Sequence, residues 1–137
     1  RLSLFYAILS RKDYRLRFVN LGTSRAFYAA PGKPFEELKT QGEALQRASG
    51  VRTEEEGEVT LEPEGRLAVF SDGFVQIAGG TRPLLEILNR YRGNDAKDSI
   101  NELAFRVKAP LTSEDDLPAR DCTAVIFDVD SRLIRLA

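Results

Sequence analysis

Histidine is missing from this chain of 137 residues, as are methionine and tryptophan, and there is a single cysteine, Cys122. Without histidine there is no imidazole base, no Ser-His-Asp or Cys-His nucleophile pair and no His-ligated zinc. One cysteine excludes an internal disulfide and fits a reducing, cytosolic compartment. No apolar run approaches the roughly 20 residues of a membrane span. Neither sign of charge dominates: 20 basic side chains stand against 21 acidic ones, for a net charge of −1. That leaves no electrostatic case for nucleic acid or an anionic membrane as partner. The chain opens at Arg1 in a strand-like segment, so no signal peptide is expected. With no initiating methionine, it reads as a fragment or a trimmed piece. What remains is an ordinary soluble balance, 42% apolar and 30% charged. The length suits one domain, residues 1–137, with a real core.

Hydrophobic alternation predicts strands over residues 2–10 and 14–21, joined as a hairpin by the polar turn Arg11-Lys12-Asp13. Gly22 allows a tight turn into a third strand, 24–30, which Pro31 and Pro34 end. Residues 35–50 are weakly patterned, with Ala44, Leu45 and Ala48 suggesting a short helix. Residues 52–57, with three consecutive glutamates, read as a solvated loop. A fourth strand is expected over 58–61 and a fifth over 66–71. Thr81 reads as the cap of a helix carrying Leu84, Ile87, Leu88 and Tyr91, and Asn94 as the cap of one carrying Ile100, Leu103, Ala104 and Val107. An acidic loop with Glu114, Asp115 and Asp116 leads to last strands at 123–129 and 132–136. Strand runs separated from helix runs predict an α+β fold, an antiparallel β-sandwich flanked by helices. The continuous apolar runs 67–70 and 124–127 predict strands covered on both faces.

The run Leu67-Ala68-Val69-Phe70 ends in Ser71-Asp72-Gly73. Glycine favours a sharp turn there, pushing Asp72 out at the strand tip. A carboxylate at a rigid strand end is a natural ligand for a hard divalent cation, which takes oxygen donors. Two further segments share the pattern of apolar strand plus small-and-acidic turn. One is Phe18-Val19-Asn20-Leu21-Gly22-Thr23-Ser24-Arg25-Ala26-Phe27. The other is Arg120-Asp121-Cys122-Thr123-Ala124-Val125-Ile126-Phe127. Cys122, beside an apolar run, reads as a small core residue, and Thr23, Ser24 and Arg25 read as structural.

With the hairpin 4–20, these segments resemble, in order, the carboxy-terminal two-thirds of a metal-dependent protein phosphatase of the type-2C superfamily. The nearest branch is that of the bacterial sporulation and stress-response phosphatases. Gly22 to Ala26 resembles a Gly-Asp-Ser-Arg-Ala motif with Thr23 in place of the aspartate. Residues 61–73 resemble the most diagnostic segment, and 121–125 the terminal Asp-Asn/Asp-x-Thr strand.

The resemblance implies hydrolysis of phosphoserine or phosphothreonine with two divalent ions, Mn²⁺ or Mg²⁺. Metal-bound water would serve as nucleophile, so the catalytic step needs no side chain. The resemblance makes Asp72 and Asp121 the metal ligands, with Gly22 and Gly73 as structural turns at the site. It implies a phosphorylated regulatory protein as substrate, such as an anti-sigma-factor antagonist, within a bacterial signalling protein. The family's first Asp-Gly-rich motif would fall before Arg1, so the full two-metal site is expected to be incomplete here. Arg120 stands where the family usually has the first acidic residue of its terminal pair. The alternative reading is an impaired phosphatase kept as a binding or regulatory module. Unpaired sheet edges make a homodimer or strand exchange a further option.

Overall fold

The computed structural model describes residues 3–39, 56–113 and 120–130. Among the described residues, seven strands form two antiparallel sheets. The first has the order β1 (Leu4–Leu9), β2 (Arg15–Leu21), β5 (Glu56–Thr60). The second has the order β4 (Glu36–Glu37), β3 (Arg25–Ala29), β6 (Arg66–Phe70), β7 (Ala124–Asp128). Three helices, α1 (Asp72–Ile77), α2 (Thr81–Arg90) and α3 (Ala96–Lys108), run between β6 and β7 in sequence.

The alternation that predicted the strands also sorts their side chains. Phe5, Ala7, Leu16, Phe18 and Val59 of the first sheet meet Tyr28, Leu67 and Val69 of the second. On the other face of the second sheet, Phe27, Ala29, Ala68 and Phe70 pack beneath Leu84, Leu88, Leu103 and Val107 of α2 and α3. Strand β6 therefore lies between two apolar layers, which is why its run is continuous rather than alternating. The result is the expected α+β sandwich, with its helices on the second sheet's outer face.

Several expectations are corrected. Residues 71–73 are not a free turn: Ser71 caps α1, its hydroxyl accepting from the Phe74 amide. Glu56 and Gly57 belong to β5, not to a loop, because Gly57 lies directly under the Phe18 ring, where a Cβ would fall 2.1 Å from Cζ. The two-residue strand β4, paired to β3, carries no apolar pattern that could have announced it. Helix α2 is capped by Gly80 rather than Thr81, and α3 by Asp95, which accepts from the Asp98 amide at 2.7 Å, rather than by Asn94.

The run 124–127 is not covered on both faces. Ala124 and Ile126 pack against the helix-side core. Val125 and Phe127 lie beside Val69 and Leu67 in the sheet, facing the inter-sheet layer. They remain 50% and 37% exposed, and β7 is an edge strand of its sheet among the described residues. The helix suggested at 44–48, the acidic loop residues 114–116 and the strand at 132–136 lie outside the described residues.

At the start of β6, Arg66 is buried and its guanidinium is fully engaged. It donates to both oxygens of Asp128 at 2.5 and 3.0 Å, to Ser99 Oγ at 2.8 Å and to the Asn94 carbonyl at 2.6 Å. One side chain thus fastens the α2–α3 junction to β6 and β7. An open cavity of about 630 Å³ adjoins it, lined by Glu64, Arg92, Asp95 and Asp128 among others.

Candidate metal centre

The opposite end of β6 gathers all three sequence segments. Strands β3 and β7 flank β6 in the sheet, so the turn before β3 and the segment before β7 both arrive beside Ser71-Asp72. Local bonds fix each arrival. Gly22 adopts φ +88°, a left-handed backbone that glycine takes without strain. Ser3 Oγ then accepts from the amides of Thr23 and Ser24, at 3.1 and 3.0 Å, and holds the turn. On the other side, the Ser71 amide donates to the Thr123 carbonyl at 2.9 Å. Ser71 Oγ accepts from the Thr123 amide at 2.9 Å and donates to the Asp121 carbonyl at 3.0 Å.

Gly73 is needed here for close approach, not for a turn. It sits in the first turn of α1 without positive φ, and a Cβ on it would fall 2.6 Å from the Asp121 carbonyl oxygen. Backbone on backbone leaves no flexible atom to yield. The segment that bears Asp121 is therefore seated directly on the residue after Asp72. Both carboxylates also act on Cys122: burial, then the charges of Asp121 and Asp72, push its thiol up. Cys122 itself is exposed, not a core residue, because it precedes the paired part of β7.

The carboxylate of Asp72 is already occupied. Arg120 Nη1 forms an ion pair with Asp72 Oδ2. Burial alone would raise the Asp72 pKa, but hydrogen bonds from Arg120 and from the Thr23 side chain, the Arg120 charge and the Gly73 amide together hold it below the usual value. Sequence reasoning missed both contacts. From the sequence, Thr23 reads as structural and Arg120 as a departure from the acidic residue of the resembling motif, with no partner assigned to either. Arg25 of the same motif turns away to pair with Glu37 at 3.4 Å.

These groups only partly fit a two-metal site. Asp72 and Asp121 are oxygen donors of the right kind, held by rigid backbone. Yet among the described residues no group of three or more His, Cys, Asp or Glu side chains could hold a metal ion. A guanidinium bound to one of the two carboxylates repels a dication twice as strongly as it would a single positive charge. As arranged, the described residues do not make a complete binuclear centre.

Comparison with known proteins identifies the fold and the family. A family model described as Stage II sporulation protein E (SpoIIE) matches residues 2–130. The phosphatase domain of the cell fate determinant SpoIIE from Bacillus subtilis is similar in structure, with TM-score 0.66 and 19% identity over 93% of this chain and 58% of that one. The same domain presoaked with Mn gives TM-score 0.68 and 18% identity over 99% of this chain and 61% of that one. The SiaA-PP2C domain of Pseudomonas aeruginosa gives TM-score 0.74 and 18% identity over 93% of this chain and 52% of that one. At these identities the likeness shows the fold. This chain spans only 52% to 61% of those solved chains. No curated protein sequence matches it.

Proposed function

The chain belongs to the Stage II sporulation protein E family, and on that premise we propose that it is part of a metal-dependent protein phosphatase domain that hydrolyses phosphoserine or phosphothreonine. One observation carries the reading: Asp72, at the tip of a strand buried on both faces, has the Asp121 segment packed directly on the following residue. Carboxylate-bearing residues on neighbouring, well-anchored backbone at the end of a sandwich suit a divalent-cation site, with Mn²⁺ or Mg²⁺ as the ion. Asp72 and Asp121 are the ligands this chain would contribute, and the remaining donors would come from elsewhere. Metal-bound water would supply the nucleophile without any histidine, a residue this sequence lacks. The substrate we assign is a phosphorylated regulatory protein of a bacterial signalling system, such as an anti-sigma-factor antagonist. The compartment we assign is the cytoplasm, which suits the exposed free thiol of Cys122. No helix of the described residues is long and apolar enough to cross a membrane.

The test is Mn²⁺-dependent hydrolysis of a phosphopeptide or p-nitrophenyl phosphate by the full-length protein and its Asp72→Asn variant. The variant should lose roughly a hundredfold or more, beyond what outer-shell changes typically cost. Equal activity in the two proteins would remove Asp72 from the chemistry.

A specific observation favours a second reading. With Asp72 paired to Arg120, the same fold would serve as a module that binds a phosphorylated partner without cleaving it. Guanidinium groups grip phosphate oxygens well. In that case phosphopeptide binding would persist with no turnover at any Mn²⁺ concentration.

A further inference from the structure

The turn 22–24 carries the chain from one sheet to the other. It leaves β2 at Leu21 and enters β3 at Arg25, where the pairing with β6 begins. The Thr23 and Ser24 amides lie before that ladder, and both donate to one atom, Ser3 Oγ. A hydroxyl oxygen has two lone pairs and one proton. Two amides fill the lone pairs, so the proton must be given away. Its closest acceptor is Ser24 Oγ at 2.6 Å, on a buried residue, with the Leu21 carbonyl further off at 3.4 Å. Ser3 is thereby saturated, and these bonds all go to the turn or to its flank. Asn20 braces the same turn from β2, its Nδ2 donating to the Ser24 carbonyl at 2.9 Å.

The turn presents Thr23, whose side chain hydrogen-bonds Asp72. That bond joins the connection out of the first sheet to the tip of β6 in the second. A threonine hydroxyl sits one carbon from the backbone and cannot reach after a displaced partner. A hydrogen bond is gone once its heavy atoms part beyond about 3.5 Å. The Thr23–Asp72 contact therefore depends on where the turn is held. Ser3, 20 residues earlier in the chain, holds it.

We propose that Ser3 is a positioning residue: by pinning the 22–24 turn it keeps the Thr23 hydroxyl on Asp72 and so steadies that carboxylate in the site. The proposal rests on the reading of Asp72 as a working residue of a phosphatase. It adds a residue of the first sheet that acts on Asp72 only through Thr23. Removing the Ser3 oxygen leaves two amides without their acceptor and lets the turn move.

The test labels the aspartates of the full-length protein with ¹³C and follows the Asp72 carboxyl signal at one neutral pH, assigned by its loss in Asp72→Asn. Ser3→Ala should move this signal in the same direction as Thr23→Val. The two changes combined should move it no further than Thr23→Val alone. Ser3→Thr, which keeps the hydroxyl, should leave it at the native position. The Thr23 and Ser24 amides should exchange with solvent about fivefold faster or more in Ser3→Ala, the scale of one lost hydrogen bond. Thermal melting verifies the fold, and if the alanine variant does not fold, Ser3→Cys fills the space with a weak acceptor and gives the same reading. In phosphopeptide turnover Ser3→Ala should lower kcat about tenfold with KM little changed, as for a misplaced reacting group, and Ser3→Thr should restore it. An Asp72 signal that Ser3→Ala leaves in place, shifts that add in the double variant, or a native kcat in an active Ser3→Ala protein overturns the proposal. Coupled shifts in a protein with no turnover would defeat the enzymatic reading and leave the positioning role standing.

Discussion

Strand β6 has an arginine–aspartate pair at each end, and the two live in opposite surroundings. At its start, the side chain of Arg66 is 4% exposed and reaches Asp128, Ser99 and the Asn94 carbonyl. Just past its end, Arg120 is 52% exposed and reaches Asp72. The first pair is built into the join between sheet and helices, and each guanidinium nitrogen has a partner. Removing it would strand several groups at once. The second borders solvent on the arginine side, where water competes for the guanidinium. The same two residue types thus make a structural bolt at one end and an adjustable contact at the other. Burial and the number of satisfied donors decide which.

Substitutions can break this comparison, the largest effect first. Arg66→Ala should lower stability by about 3 kcal/mol, the low end for breaking a buried pair, since Asp128 stays partly solvated. Urea unfolding reads this directly. A loss as small as that of a surface substitution would mean that the two ends are alike. Gly73→Ala should cost about 1–3 kcal/mol, as for overpacking elsewhere, because the new methyl meets the Asp121 carbonyl and not a flexible side chain. It should also separate the two aspartates, so Mn²⁺ affinity should fall along with stability. Stability without loss would show that the 120–123 segment is seated less firmly than its hydrogen bonds imply.

The smallest effect concerns pH. The Asp72 carboxyl is held below its ordinary value in the fold. A depressed folded pKa gives stability that is present above the unfolded carboxylate value of about 3.9 and lost as pH falls through the folded one. Acid unfolding measured below about pH 4, with metal chelated, should therefore be slightly shallower for Asp72→Asn than for native protein. Identical curves would mean that the Arg120 and Thr23 contacts add nothing to the folded state. Salt should shrink this difference, since both partners face solvent.

How far the sequence could be read follows from the same two ends. The tip of β6 was legible because a strand buried on both faces leaves an unbroken apolar run before Ser71-Asp72-Gly73. The helix starting at Asp72 was not, since Asp-Gly also favours turns. What makes Gly73 necessary is a carbonyl 48 residues further along the chain, and no local pattern reports that. The meeting of Thr23, Asp72 and Arg120 depends on β3 and β7 flanking β6, which is a fact of sheet order. The Arg66 network was invisible for the same reason, as its partners come from β7 and the α2–α3 junction. Val125 and Phe127 misled differently: an apolar edge strand spells the same run as a central one, and only the strand order tells them apart.

The Ser71 hydroxyl caps α1 and also takes both its strand-side bonds from the 121–123 segment. A single oxygen atom thereby sets the spacing between the residues that carry the two carboxylates. The start of helix α1 and the backbone on either side of Cys122 are thereby tied through one hydroxyl, so losing it would loosen both at once.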